Sequence, residues 1–506
     1  MVGGFNLKIQ FKIILIILFC FSFLLASCSK SENTQENNID YSFLTATEGS
    51  ISIPLTPFDN LNPLTTDNIS YLYFSELMFE GLYKLKNNYK PEEILVSNIT
   101  QEGKKITVSI IDGVQFHDGS YLTSQDIVNS LEMIRNTGKG AYYNLMVNNI
   151  TKKFPLEAKV IDRNTVEFNF TGEGPFLKEY LIFPIVKKDE NGNYIGTGPY
   201  KLSNLEKNRE VLLERFVGYH GEKSAIERIK GIILEDEQLI YTAIDTGRIQ
   251  ATISFSDEFL RFSNNENFHG YRFASNKVYG LFINNRNFSN DFKNLIRKSI
   301  NKERIKSDIF NEYATVANTF LNPDSYINRP FSSSYNLEES KLLSNKIENK
   351  KIRLYYYSGN EIHKLIAAKL IQFWNNVGID VIDVSRNESF ESYSQNLKSN
   401  FYDVCIFALN TNIIKDQTYD LINGNIFNYS NDDLKSLHLE LSKKDNIEQA
   451  MDVIQEIDNN LIKNSDFIPL VFSDSCLILS KNIVGEFHPN LIFPYDDLKT
   501  AYFTSP

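Results

Sequence analysis

The chain has 506 residues, 42% hydrophobic and 23% charged, a balance that suits a folded protein. Its 52 basic and 63 acidic side chains leave a formal charge of −11, which becomes −13 once Lys8 and Lys12 leave with the first 27 residues. That acidity excludes the basic footprint that nucleic acid requires and any electrostatic docking on anionic lipid.

Residues 1–27 read as an export signal: Lys8 and Lys12 give a basic start, and Ile13 to Leu25 is an apolar core too short for a confident membrane span. The tetrad Leu25-Ala26-Ser27-Cys28 resembles the bacterial lipobox, which implies Cys28 as the lipid attachment site. Residues 28–47 are then a lipidated cysteine and a polar tether, anchoring the body to the membrane through acyl chains alone.

Downstream, alternation predicts a strand at Ser50–Leu55, closed by Leu61-Asn62-Pro63, and Ser75–Leu85 reads as a short helix ended by Gly81. Strands are expected at Lys105–Ile111, as a hairpin over Val160–Phe170, and at Arg209–Phe216 and Ile229–Leu234. Gln238–Thr246 reads as a helix before a strand at Gln250–Phe255. After about residue 270 the pattern restarts, with strands at Val278–Asn284, Lys351–Tyr357, Ile379–Val384, Asp403–Leu409 and Phe467–Phe472. Helices are expected at Lys293–Phe310, Ile362–Val377 and Gln449–Ile462, with Trp374 on the core side of the second.

The most informative stretch is Ile111–Leu131, IDGVQFHDGSYLTSQDIVNSL. Gly113 and the Asp118-Gly119 pair mark sharp turns, and Thr123 three residues before Asp126 is a capping-box-like helix start. Its order, G-V-x-F-H-D-G then L-T-x-x-D-I-V-x-S-L, closely resembles the signature of the dipeptide- and oligopeptide-binding proteins of ABC importers, solute-binding family 5. Further blocks follow in the same order: Leu61-Asn62-Pro63-Leu64, Phe79-Glu80-Gly81-Leu82, Gly196-Thr197-Gly198-Pro199-Tyr200, Ala243 to Ile249, Lys293 to Ile305, Gly378-Ile379-Asp380-Val381 and Ile468-Pro469-Leu470. One of them, Lys293 to Ile305, departs from the pattern at two positions, with Lys293 for Arg and Asn301 for Asp.

The resemblance spans roughly residues 48–490 and implies an α/β, two-lobed, periplasmic-binding-protein-like fold of the large three-subdomain type. It implies lobe I from 48–84, 195–276 and 481–506, an inserted subdomain at 85–194, and lobe II at 277–480. Hinge segments are expected near Phe273–Gly280 and Ile478–Val484, closing a cleft on the ligand. The implied role is extracytoplasmic capture of peptides for delivery to ABC permease and ATPase subunits, by a monomer that needs no cofactor and no metal. The alternatives left open are a non-peptide cargo, such as a metal chelate or an oligosaccharide, and a ligand-sensing lipoprotein without a transporter.

The resemblance implies ligand contacts at Tyr279, Ala408, Leu409, Asn410, Asn412 and Asp416. Many members carry a W-x-x-D-Y-x-D-P segment after the strand matching Asp403–Leu409, whose acid holds the ligand ammonium. Here the tryptophan is missing and Asn412 stands where that acid is expected, with Asp416 as the alternative. An Asn412 site implies that blocked peptides bind at least as well as free ones. The six histidines are scattered, and no G-x-S-x-G, H-E-x-x-H or G-x-x-x-x-G-K motif is present, so no enzymatic activity is expected. Cys20 and Cys28 belong to the signal and the lipid site, leaving Cys405 and Cys476 either paired or as buried free thiols.

Overall fold

The computed structural model describes residues 49–147, 153–171, 174–255, 262, 265–284, 286–329, 334–411, 418–424, 426–463 and 466–504. The chain divides into Met1–Thr45 and Ala46–Pro506, and every described residue belongs to the second part. The signal segment, Cys28 and the tether to residue 47 therefore lie outside the described residues, as do Asn412 and Asp416.

Three larger sheets organise the described chain. The first joins Ser50–Leu55, Arg228–Ile233, Glu210–Arg215 and Tyr200–Glu206 in that order. All six residues of Ser50–Leu55 are buried, which explains an apolar run with only two serines. The second is an antiparallel sheet of Val96–Glu102, Lys105–Ile110, Thr165–Phe170 and Leu156–Asp162, covered by the helix Ser124–Thr137. Its two middle strands alternate buried and half-buried residues, as a one-faced sheet requires. The helix begins with the expected capping box: the Thr123 N–H donates to Asp126 Oδ2 at 2.9 Å.

The third sheet has seven strands and is built on two long ones, Phe268–Ile283 and Phe467–Ser480, which pair antiparallel. The register between them shifts between Ala274 and Val278, facing Asp474 and Phe472. Ser275 and Ser473 meet through their hydroxyls at 2.9 Å in this irregular stretch. The first expected hinge segment falls on this bulge. The second runs from Ile478, paired with Thr252 and Gly270, to Ile483–Val484, paired with Tyr502 and Phe503. Beyond the bulge the sheet continues through Val404–Asn410 and Lys351–Tyr355 to Asp380–Asp383, the last two pairs being parallel. Around it packs a separate core containing Leu281, Ile296, Ile366 and Leu370, with Trp374 fully buried and its Nε1 donating to the Ile296 carbonyl at 3.3 Å.

Two helix expectations need correction. The helix near Gly81 lies earlier, at Ile69–Ser75, because Asn68 caps it by accepting from the Tyr71 N–H at 2.9 Å. Gly81 serves close packing rather than termination: a Cβ there would meet the Ile182 and Phe183 carbonyl oxygens at 2.8 Å. The expected Lys293–Phe310 helix is two, Asn290–Lys298 and Lys302–Phe310. Asn301 breaks it, since its side chain accepts from the Arg304 N–H at 3.1 Å and so restarts the helix. Cys405 and Cys476 are buried free thiols on strands separated by Phe268–Ile283, so they do not form a disulfide.

Candidate ligand cleft

The motifs that carry the resemblance fasten to one another. His117 lies against the Gly196–Tyr200 block, with its Nδ1 accepting from the Gly196 N–H at 3.4 Å and its Nε2 3.2 Å from the Gly198 carbonyl. That geometry assigns the proton to Nε2, and burial lowers the His117 pKa to about 4, so the ring is a neutral structural link. Glu80 accepts from the Thr197 hydroxyl at 2.8 Å, the Tyr219 hydroxyl at 2.9 Å and His220 Nε2 at 2.9 Å. Gly198 is needed because a Cβ would stand 2.6 Å from the Met78 carbonyl carbon.

This fastened floor supports a cavity of about 550 Å³, lined by the segment Ile69–Lys84, the helix Ala141–Met146, the C-terminal stretch Leu491–Lys499, and Asn276 with Asn410. Most of its surface is aliphatic or aromatic, including Leu72, Tyr73, Phe79, Tyr142 and Phe493. Its ammonium groups are already committed. Lys84 and Lys499 each lie 2.7 Å from a different oxygen of Asp496. Burial pushes the Asp496 carboxyl up, but the two ammoniums more than offset this and hold it below the usual carboxylate range. Glu76 also faces this cavity; its Oε1 accepts from the Tyr495 N–H.

A second cavity, about 460 Å³, shares Asn410 with the first and is lined by Lys277, Tyr357, His363, Phe390, Tyr393 and Phe407 to Asn410. The Tyr357 ring stands 5.5 Å from both Phe390 and Tyr393, and Phe390 is 63% exposed. His363 is buried, and burial, aided by Lys277, lowers its pKa to about 4, so it presents a neutral imidazole. Along this cavity runs Val404–Asn410, paired on one side with Lys277–Ile283 throughout. On its other side only Val404 and Cys405 meet a strand, at Leu354 and Tyr355. From Ile406 to Asn410 that edge carries no strand among the described residues; the Ile406 carbonyl takes the Tyr393 hydroxyl at 2.6 Å.

Of the expected contact residues, Ala408, Leu409 and Asn410 line the second cavity, and Asn410 lines both. Tyr279 is 2% exposed and packs beneath, its ring 5.5 Å from Phe310 and 5.9 Å from His363. Asn412 and Asp416 lie outside the described residues. Glu76, Asp496, Lys499 and His363 did not emerge from the sequence. Asp496 and Lys84 are 412 residues apart, and no local spacing announces such a pair.

Residues 90–447 match the model for bacterial extracellular solute-binding proteins, family 5. The chain belongs to that family. Among curated relatives, it is 24% identical over 352 residues to the nickel-binding protein NikA of Staphylococcus aureus, covering 66% of this chain and 69% of that one. It is 26% identical over 180 residues to the dipeptide-binding protein of Escherichia coli, covering 30% and 34%. Among solved structures, the ABC transporter substrate-binding protein CtaP of Listeria monocytogenes superposes with a TM-score of 0.74 at 20% identity, over 90% of this chain and 99% of that one. The fold is thus the two-lobed α/β architecture of family 5, and the protein binds a solute in the cleft between its lobes. No helix among the described residues is long and apolar enough to cross a membrane.

Proposed function

We propose that this protein captures peptides in the cleft formed by the two cavities and delivers them to the permease and ATPase subunits of an ABC importer. The observation that carries the peptide assignment is the open edge at Phe407–Asn410, lying along a cavity rather than against another strand. An extended peptide added there gains main-chain hydrogen bonds whatever its sequence, while the aromatic pocket of Tyr357, Phe390 and Tyr393 accepts a side chain. Ala408, Leu409 and Asn410 supply that edge, Tyr279 supports it from below, and the segment holding Asn412 and Asp416 follows directly. The role is binding without catalysis.

The lobes are assigned as 48–84 with 195–276 and 481–506, and 277–480, with 85–194 inserted; the hinge is the bulge at Ser275–Lys277. Ligand binding should then reduce the radius of gyration in solution scattering. The protein is held at the outer face of the cell membrane as a monomer through lipid on Cys28. Cys28→Ser should release it from membranes or leave its signal uncleaved; a variant processed normally and still membrane-bound contradicts the anchor.

Denaturing the purified protein and identifying the released ligand by mass spectrometry tests the cargo. Short peptides are expected. A metal chelate or an oligosaccharide would overturn the peptide assignment, and the similarity to the staphylococcal nickel-binding protein makes a chelate the rival to look for. Permease and ATPase genes beside this one separate an importer component from a sensing lipoprotein.

A further inference from the structure

Glu76 ends the Ile69–Ser75 helix and lines the first cavity. Its Oε1 is engaged by the Tyr495 N–H, but its Oε2 is buried with no hydrogen-bond partner among the described residues. The other charged groups of that cavity are satisfied: Asp496 by Lys84 and Lys499, and Glu80 by Thr197, Tyr219 and His220. Among the acidic groups of that lining, Glu76 alone keeps a buried oxygen with no hydrogen-bond partner among the described residues. A buried acceptor without a partner is costly, and the cost is relieved if the partner arrives with the ligand.

We propose that Glu76 is a specificity-determining residue whose open Oε2 receives a primary ammonium group of the ligand, in a cavity also lined by Tyr73 and Tyr142. With Oε1 already occupied, the site offers one oxygen. That suits a compact ammonium and not a guanidinium, which pairs with both carboxylate oxygens. A metal ion is disfavoured because no group of three or more His, Cys, Asp or Glu able to hold one exists among the described residues. The tyrosine rings add favourable faces for a cation. The ammonium has two possible sources, a peptide's α-amine or a lysine side chain. This contact lies on the first cavity's wall, on a residue far in sequence from Asn412 and Asp416, so it supplies a charge contact even where Asn412 supplies none.

The empty site has a matching protonation state. Burial, then Asp496 and Asp497, push the Glu76 carboxyl well above its ordinary range, against the opposing Tyr495 N–H and Lys499; Tyr73 and Tyr142 are the phenols beside it. Docking an ammonium favours the carboxylate, so the Glu76 proton leaves to solvent as the ligand binds.

The inference deepens the peptide assignment for this same cleft, and its probes let the two fail separately. Wild type and Glu76→Gln are challenged with four probes: tetrapeptide pools with free N-termini, acetylated pools lacking lysine, acetylated pools containing lysine, and phenethylammonium. Glutamine keeps the Oε1 acceptor for Tyr495, and matching thermal unfolding confirms an intact fold. Wild type should retain ammonium-bearing probes roughly 10- to 100-fold better than the lysine-free acetylated pool, and Glu76→Gln should lose that preference. Retention of the free pool alone assigns the α-amine. Retention of the lysine pool despite acetylation assigns the side chain and keeps the tolerance of blocked peptides expected from Asn412. Calorimetry in two buffers of different ionisation enthalpy should show proton release by wild type and none by Glu76→Gln. Binding of phenethylammonium that depends on Glu76, with no peptide retained, would end the peptide assignment and leave this inference standing. An unchanged preference in Glu76→Gln, or no preference for ammonium in wild type, overturns it.

Discussion

The two walls of the cleft are built by different means. The first gathers charged groups from distant parts of the chain, Glu76 and Lys84 from one segment and Asp496 and Lys499 from the C-terminal stretch, over a floor of interlocked glycine motifs. The second is the continuation of one sheet: an open strand edge backed by aromatic rings and a neutral histidine. A strand edge accepts any extended backbone, whereas a buried carboxyl oxygen without a partner discriminates by the group it can pair with. The contrast teaches that breadth and selectivity can be assigned to two neighbouring cavities that meet at Asn410. It also shows that the family signature faces inward: His117, Glu80 and Gly198 hold the first wall together and are spent on each other.

That contrast can be broken from either side. The largest effect is expected from Ala408→Trp, which fills the second cavity from an exposed position beside the open edge. Peptide affinity should fall by about 100-fold or more, equivalent to about 2.7 kcal/mol, in calorimetry, with little change in thermal stability.

Glu179 tests the contact between the short turn Lys178–Ile182 and the chain after Ala317. It accepts from the Tyr326 hydroxyl, and burial raises its pKa to about 7 against an ordinary 4.5. Between those values the folded protein holds a proton the unfolded chain has lost, so stability falls as pH rises from about 4.5 to 7 and then levels. Glu179→Gln should flatten that slope and gain on the order of 2–3 kcal/mol at pH 7.5, read from urea midpoints at several pH values. An unchanged slope would move the titration to another group.

Gly81→Ala should cost about 1–3 kcal/mol, because its Cβ meets carbonyl oxygens that belong to backbone. It should also weaken binding of ammonium-bearing probes more than of neutral ones, since the first wall carries Glu76. The smallest effect is expected from Asn410→Ala. Its exposed side chain borders both cavities, and a change of only a few-fold in affinity is expected if main-chain pairing dominates there.

How much was legible in the sequence follows the same division. Alternation located Ser50–Leu55 to the residue and Lys105–Ile110 to within one, and helix-then-glycine punctuation found Glu361–Asn375 before Gly378. These are local patterns of burial, and local sequence carries them. Asparagine capping was missed at Asn68 and Asn301, which misplaced one helix and fused two others. The extent of the two long strands was also missed, because Phe467–Ser480 is buried on both faces until its last residue and shows no alternation to follow. In the cleft, Ala408, Leu409 and Asn410 were reached through the family resemblance alone, and being consecutive on one strand they fall together along the second cavity. The first wall was not, since the Glu76 carboxylate meets the Tyr495 N–H across 419 residues.

The central claim is that the open edge of Phe407–Asn410 holds the ligand by its main chain. Calorimetry with a peptide released from the purified protein, and with its variants N-methylated at one backbone nitrogen at a time, tests this most directly. The account predicts a loss of roughly 10-fold or more at alternate positions and little change between them, because in an added strand successive N–H groups point to opposite sides. Equal affinity for every N-methylated variant would contradict it.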